Sequence, residues 1–170
     1  MKIRKGGPDD VPAMLGMFDS AVAWLTEQGR TGQWGSTPFS TDAARIESVT
    51  RRASEGDMRI AEIDGEPAGS IVVGPAMPYV TPAPEPELYV QMLVIDRRFS
   101  GRGVGSALLG WAREEAARLG VGLLRVDCYA GDDGRLVRYY ESVGFSRTVE
   151  FVVGEWPGQV LEMRISPADS

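Results

Sequence analysis

Apolar residues at Met14, Leu15, Phe18, Val22 and Leu25 recur at helical spacing behind Pro8, Asp9 and Asp10, which predicts a first helix capped by one of those carboxylates. The short stretch from Ile3 to Lys5 before it suits an edge strand. Residues 29–38, with Gly29, Gly32, Trp34 and Gly35, read as a loop. Thr41 or Asp42 then caps a second helix through Ile46, Val49 and Ala53. From Met58 the period changes to two, through Ile60, Ala61 and Ile63, and again through Ala68, Ser70, Ile71, Val72 and Val73. Asp64-Gly65 between those runs predicts an antiparallel hairpin. Pro75, Pro78, Pro82, Pro84 and Pro86 forbid regular structure in the next segment and make it a stiff surface excursion able to border a site.

The second half alternates strand and helix. Residues 88–95 are an apolar run of strand length. After a glycine turn, Val104, Ala107, Leu108, Trp111, Ala112, Ala116 and Leu119 trace one face of a long helix closed by Gly120. Residues 123–129 form a buried strand parallel to the first, because a helical crossover separates them. Asp132 or Asp133 caps a helix through Leu136, Val137, Tyr140 and Val143 that Gly144 stops. Residues 149–153 and 160–165 close the chain as a hairpin around residues 154–158.

Length and composition narrow this picture. At 170 residues the chain is expected to be a single domain spanning 1–170, and with 43% hydrophobic and 25% charged residues it is globular. No run of about 18 apolar residues suggests a membrane span, and the basic start followed by Gly6, Pro8, Asp9 and Asp10 does not resemble a signal peptide, so a cytoplasmic location is expected. The absence of histidine excludes Ser-His-Asp and Cys-His triads, an HExxH zinc site and a histidine base. Cys128, the lone cysteine, excludes internal disulfides and thiolate metal clusters, and its apolar surroundings predict a packed thiol. No metal is expected. The net charge of −6 argues against nucleic acid and anionic membrane as partners and favours a cationic substrate such as an amine.

The chemistry concentrates at Gly101, Gly103 and Gly105, where a strand ends and a helix begins. Bare backbone there permits close approach of a ligand, and the unpaired amides and positive dipole end of the helix favour an anion, a phosphate or diphosphate. Arg97, Arg98 and Arg102 add positive charge. No lysine follows as a P-loop requires, and the spacing is not that of a dinucleotide-binding G-x-G-x-x-G.

The G-x-G-x-G turn after two antiparallel strands resembles the GNAT superfamily of N-acetyltransferases, whose (Arg or Gln)-x-x-Gly-x-(Gly or Ala) motif cradles the diphosphate of acetyl-CoA. Gly103 and Gly105 match its two small positions and Gly101 a frequent preceding glycine. Ser100 stands where the family has Arg or Gln, with Arg98 or Arg102 able to supply the charge. Leu93-Val94-Ile95 resembles the family's Leu-x-Val strand, whose main chain holds the pantetheine and the acetyl carbonyl. Tyr140-Glu141 and Gly144-Phe145 are similar to its closing signature, and Asp133 stands where relatives often carry Asn. The similarity spans residues 58–165 and is strongest over residues 88–145.

The resemblance implies an α+β fold: a central mixed, mostly antiparallel sheet of about six or seven strands, splayed near the middle and flanked by about four helices. It implies acetyl-CoA as cosubstrate, with contacts from Leu93, Val94, Ile95, Arg98, Gly101, Arg102, Gly103, Val104, Gly105, Ser106, Asp133 and Tyr140. The acetyl group would pass directly to a small-molecule or peptide amine in a ternary complex. That route suits a chain without histidine or an active thiol, since no covalent enzyme intermediate is needed. The amide of Leu93 would polarise the acetyl carbonyl and Tyr140 would protonate the departing thiolate. Glu87, Asp127 or a chain of waters would take the proton of the amine. Trp24, Trp34 and the loop near them are open to a core or an acceptor-wall role. Dimers are common in the family, so a homodimer is compatible with it. The alternatives are a non-catalytic acyl-CoA sensor or interaction module, and a nucleotide-binding module.

Overall fold

The computed structural model describes residues 1–166, so the domain end expected at Ser170 lies outside the described residues. Among the described residues, seven strands form one sheet in the order β1-β2-β3-β4-β5-β7-β6: β1 (Lys2–Lys5), β2 (Asp57–Ile63), β3 (Glu66–Gly74), β4 (Leu88–Ile95), β5 (Leu123–Tyr129), β6 (Ser146–Val153) and β7 (Trp156–Arg164). Four α-helices accompany them among the described residues: α1 (Val11–Glu27), α2 (Ala43–Glu55), α3 (Val104–Leu119) and α4 (Arg135–Ser142). The sheet is mixed and mostly antiparallel, its parallel pair being β4 and β5 with Leu88, Tyr89 and Val90 opposite Leu124, Arg125 and Val126. This is the α+β architecture expected from the sequence.

Chain contacts divide into two compact units, the first comprising Met1–Val73 and Met92–Leu108. Its core joins α1 through Met14, Met17 and Phe18 to Val49 of α2, Ile60 of β2 and Val94 of β4. Phe18 stacks on Phe39 at 4.4 Å between ring centroids, and Trp34 meets both rings edge-on. Trp34 is therefore a packing residue that fastens the glycine-rich loop to α1. The β2–β3 turn is as expected: Asp64 and Gly65 both have positive φ, at 51° and 79°, the geometry that matches strand twist in a two-residue hairpin. Asp42 caps α2, its Oδ1 accepting from the amides of Ala44 and Arg45 at 3.0 and 3.3 Å.

Asp10 departs from expectation. It makes no side-chain cap on α1. Its carboxylate instead accepts from Arg4 of β1 at 2.8 Å and from the Gly7 amide at 3.0 Å, closing a short helical turn that precedes the helix. The guanidinium is the stronger partner, because a charge-assisted bond outweighs a neutral cap.

The second unit comprises residues 74–91 and those from Leu109 onward. In it β7 lies between β5 and β6, and a small core gathers Val80, Tyr89 and Val160 with Met77 and Phe151 against them. The sequence assigned residues 156–158 to the closing turn, yet they belong to β7, and Gly154, at φ 61°, carries the turn. Two local facts go with this. Pro157 has no N–H to give, but its carbonyl still ties the strand down by accepting from the Ala130 amide at 3.0 Å, and Gly158 leaves room for the Phe151 ring, whose Cζ would lie 2.2 Å from an added Cβ. Gly144 ends α4 at φ 108°, as expected. Neither Asp132 nor Asp133 caps that helix: Asp132, Asp133 and Gly134 are three successive left-handed residues, at φ 55°, 62° and 71°, and Gly134 occupies the cap. The Asp133 carbonyl accepts from Arg138 instead.

Candidate active site

The glycine turn lies in the first unit. β4 ends at Ile95, and Asp96 turns the chain, its amide donating to the Ala68 carbonyl at 2.9 Å while its Oδ1 accepts from the Arg98 amide at 2.9 Å. A short turn over Arg97–Phe99 follows, then Ser100, Gly101, Arg102 and Gly103, all exposed. Gly101 and Gly103 have φ of 77° and 74°, a region L side chains enter only at a cost, and an added Cβ would meet nothing within 4 Å at either. The first bond of α3 runs from the Ala107 amide to the Gly103 carbonyl at 3.0 Å. The amides of Val104, Gly105 and Ser106 therefore fall in the turn that has no intrahelical acceptor. A bare, open loop ahead of three such amides and a helix dipole fits the diphosphate of acetyl-CoA.

One determinant of this geometry was not singled out from the sequence. Gly69 of β3 is bare so that the head of α3 can approach: a Cβ there would lie 2.7 Å from Val104 Cγ1 and 3.1 Å from the Val94 carbonyl oxygen. A glycine inside an otherwise apolar strand was the available signal.

The arginines near the turn differ in their engagements. Arg98 pairs with Asp96 at 3.3 Å and approaches Glu66 at 3.7 Å, so its charge is partly answered within the chain. Arg97 lies 3.6 Å over the Trp24 ring, and its amide donates to Ser20 Oγ, which joins β4 to α1 and makes Trp24 a packing partner. Arg102 is exposed and makes no ion pair among the described residues. Leu93 and Ile95 are half-buried on β4, and Val94 is buried in the core.

The remaining candidates lie in the second unit. Tyr140 is buried on α4, meeting Tyr139 and Phe145 edge-on at 5.4 and 5.7 Å. Its hydroxyl makes no hydrogen bond among the described residues. Burial, with Cys128, Tyr139 and Asp127 near it, holds the phenol well above its ordinary pKa. Asp133 is exposed ahead of α4.

Of the expected proton acceptors, Glu87 is engaged. Both its oxygens accept from Arg125, one of them from Nη2 at 2.9 Å, and Arg125 Nη1 donates to the Thr81 carbonyl at 3.1 Å. With both side chains largely buried, this pair is structural. Glu87→Gln is expected to lower unfolding free energy by about 3 kcal/mol, since it leaves Arg125 as an uncompensated buried charge. Urea denaturation checks this, and kcat of the folded fraction should be nearly unchanged.

Asp127 is half-buried and accepts from Tyr89 Oη at 2.5 Å and from Tyr79 Oη at 3.2 Å. Burial raises its pKa, and the two phenols and, more weakly, Arg125 oppose that rise. The Cys128 thiol beside it is buried and pushed up to about 12 from its usual 9.0, first by burial and then by Asp127. The sign of the linkage is set by the raised folded value. Below pH 9 the thiol is protonated folded or unfolded. Above it the unfolded chain ionises first, so stability is lost as pH rises from 9 towards 12. Cys128→Ala should remove about 1.4 kcal/mol per pH unit from the slope there, read from urea denaturation across that range.

Among the described residues, no group of three or more acidic or cysteine side chains is placed to hold a metal ion, and no helix is long and apolar enough to cross a membrane.

Comparison with known proteins agrees with this geometry. The curated N-acetyltransferase YesJ of Bacillus subtilis (strain 168), itself uncharacterized, is 25% identical over 143 residues, covering 81% of this chain and 77% of YesJ. The ribosomal-protein-alanine N-acetyltransferase of Brucella melitensis superposes with a TM-score of 0.68 at 20% identity, over 97% of this chain and 100% of that one. The yncA protein of Salmonella typhimurium, solved with its cofactor acetyl-CoA, superposes with a TM-score of 0.64 at 17% identity, over 100% of this chain and 96% of that one. The profile of the acetyltransferase (GNAT) family matches residues 19–145, from α1 through the glycine turn to the Gly144-Phe145 stop of α4, so the chain belongs to the GNAT family of acetyl-CoA-dependent N-acetyltransferases.

Proposed function

We propose that this enzyme moves the acetyl group of acetyl-CoA to a primary amine by direct attack within a ternary complex. The observation that carries the reading is the glycine turn, left-handed at Gly101 and Gly103 and open around both, at the head of α3. The amides of Val104, Gly105 and Ser106 hold the diphosphate, and exposed Arg102 adds a positive charge without an internal partner to release. Arg98, tied to Asp96, mainly shapes the turn. The main chain of Leu93, Val94 and Ile95 orients the pantetheine arm, with the Leu93 amide polarising the acetyl carbonyl. Acetyl-CoA supplies an activated thioester, so the protein needs only to position, polarise and move protons. Tyr140 donates its proton to the departing sulfur, a role supported by an undissociated phenol with no internal hydrogen bond. Asp133, ahead of α4, borders the cofactor.

The family match runs through both compact units, which supports reading residues 1–170 as one catalytic domain. A cytoplasmic setting, where acetyl-CoA is made and a lone thiol stays reduced, suits the enzyme.

Thermal denaturation with ligands tests the reading first. Acetyl-CoA and CoA should each raise Tm, while ATP and NAD should not. Release of CoA thiol in the presence of a panel of primary amines then tests transfer. Stabilisation by acetyl-CoA with no release against any amine would overturn the enzymatic reading and leave an acyl-CoA sensor.

A further inference from the structure

The surroundings of Asp127 contain more than a proton acceptor requires. Its hydrogen bonds come from two phenols, Tyr89 Oη to Oδ2 at 2.5 Å and Tyr79 Oη to Oδ1 and Oδ2 at 3.2 and 3.3 Å. No lysine or arginine among the described residues forms an ion pair with it. Arg125, which lies 5.4 Å over the Tyr89 ring, is bound by Glu87 through both oxygens. Arg125 attracts Asp127 only weakly, less than the two phenols do, and the carboxylate has no ion pair of its own among the described residues. A desolvated carboxylate in that state is costly, and two phenol donors leave part of its acceptor capacity unused. A cationic ligand would supply both the missing charge and the missing donors.

A chain of rings leads away from Tyr79, one of the two phenols bonded to the carboxylate. Tyr79 comes from the proline-rich excursion, and its ring lies 5.3 Å from that of Phe151. Phe151 lies 6.2 Å from Trp156, and Trp156 lies 5.5 Å from Tyr129, which shares a face of β5 with Asp127. Two bare positions set these rings in place. Besides Gly158 under Phe151, Gly131 is bare beside Tyr129, whose Oη would lie 2.2 Å from an added Cβ. Phe151, Trp156 and Tyr129 are only half-buried and Tyr79 is exposed, so part of this aromatic row meets solvent. A carboxylate held by two phenols, with the Phe151 ring next to one of them, is a favourable environment for an organic ammonium ion. Asp127 is among the groups whose charge acts on the Tyr140 phenol, the group assigned to the departing sulfur.

We propose that Asp127, with the row of rings running from Tyr79 through Phe151 to Trp156, seats the ammonium group of the acceptor, and that the acceptor is a cationic primary amine on an apolar body, not a free amino acid or an acidic peptide. This rests on the acetyl-transfer reading and adds the acceptor class to it. An α-carboxylate next to the ammonium would bring a second negative charge close to Asp127, and like charges at such range repel strongly once water is thinned. In the reaction Asp127 takes one proton from the ammonium and so exposes the nitrogen lone pair. The N–C bond forms as the C–S bond breaks, and the sulfur takes the proton of Tyr140. The nitrogen's second proton restores Tyr140, and Asp127 releases its own to water, so one proton leaves per amine acetylated.

Calorimetric titration of the full chain saturated with CoA tests the proposal with three probes that share a phenyl group two carbons from the charge-bearing end: phenethylamine, 3-phenylpropionate and phenylalanine. Phenethylamine should bind saturably, and the anion and the zwitterion at least about tenfold more weakly. Asp127→Asn should weaken phenethylamine by at least about tenfold while leaving the affinity for acetyl-CoA unchanged, which also reports that the variant is folded. Equal binding of 3-phenylpropionate or phenylalanine, unaltered binding by Asp127→Asn, or no saturable phenethylamine binding would overturn it. If the asparagine variant fails to fold, the three-probe comparison in the natural chain decides. Failure of acetyl-CoA to bind the natural chain would instead defeat the acetyl-transfer reading, so the two failures are distinguishable.

Discussion

Gly103→Val is expected to abolish the stabilisation of the protein by acetyl-CoA and to lower kcat/KM for acetyl-CoA by about 100-fold or more, equivalent to about 2.7 kcal/mol. Two effects combine. At φ 74° a β-branched side chain sits in a region it strongly disfavours, a strain of about 1–3 kcal/mol. The new side chain would also project into open space ahead of the first-turn amides of α3, where the diphosphate must approach. The ligand-dependent shift in Tm separates loss of the cradle from general destabilisation, because strain lowers Tm without ligand while loss of the cradle removes the increment ligand adds. Gly7→Ala serves as the contrast: Gly7 is extended, at φ −173°, with nothing within 4 Å of an added Cβ, so both Tm and acetyl-CoA affinity should stay as they are.

Tyr140→Phe is expected to lower kcat by about 100-fold or more while changing the affinity for acetyl-CoA little, as for removal of a general acid. Its effect on stability carries the discrimination. The Tyr140 hydroxyl makes no hydrogen bond among the described residues, so removing it breaks none, and Tm should stay level or rise. A purely structural tyrosine would show a fall in Tm with kcat per folded molecule intact. The pH profile provides a second check. Because burial holds the phenol well above its ordinary range, it stays protonated through pH 9, and kcat of the natural enzyme should show no alkaline decline from this group there.

Features fixed by local sequence were legible before the structure. Asp64-Gly65 dictated its turn because both residues tolerate positive φ, Asp42 capped α2 through neighbours two and three positions on, and Gly101 and Gly103 marked a bare backbone between strand and helix. Features that depend on a distant partner were not. Asp10 sits where a helix cap belongs, but Arg4 from β1 claims its carboxylate. Glu87 read as a candidate proton acceptor or an ion-paired carboxylate, and only the fold identifies Arg125 as its partner. Gly69 looks like an interruption of a strand and Gly158 like part of a turn, and the reason for each is a side chain brought up from elsewhere: Val104 and Phe151. Tyr79, in a segment legible only as irregular, reaches Asp127 across 48 positions of chain.

Cys128 has a practical consequence. The chain carries no other cysteine, and this one is buried with its thiol pushed up to about 12. At neutral pH such a sulfur offers almost no thiolate, the form that reacts with aromatic disulfides. A colorimetric disulfide reagent can therefore remain in the cuvette throughout turnover, each increment of colour reporting liberated CoA while the catalyst itself goes unlabelled.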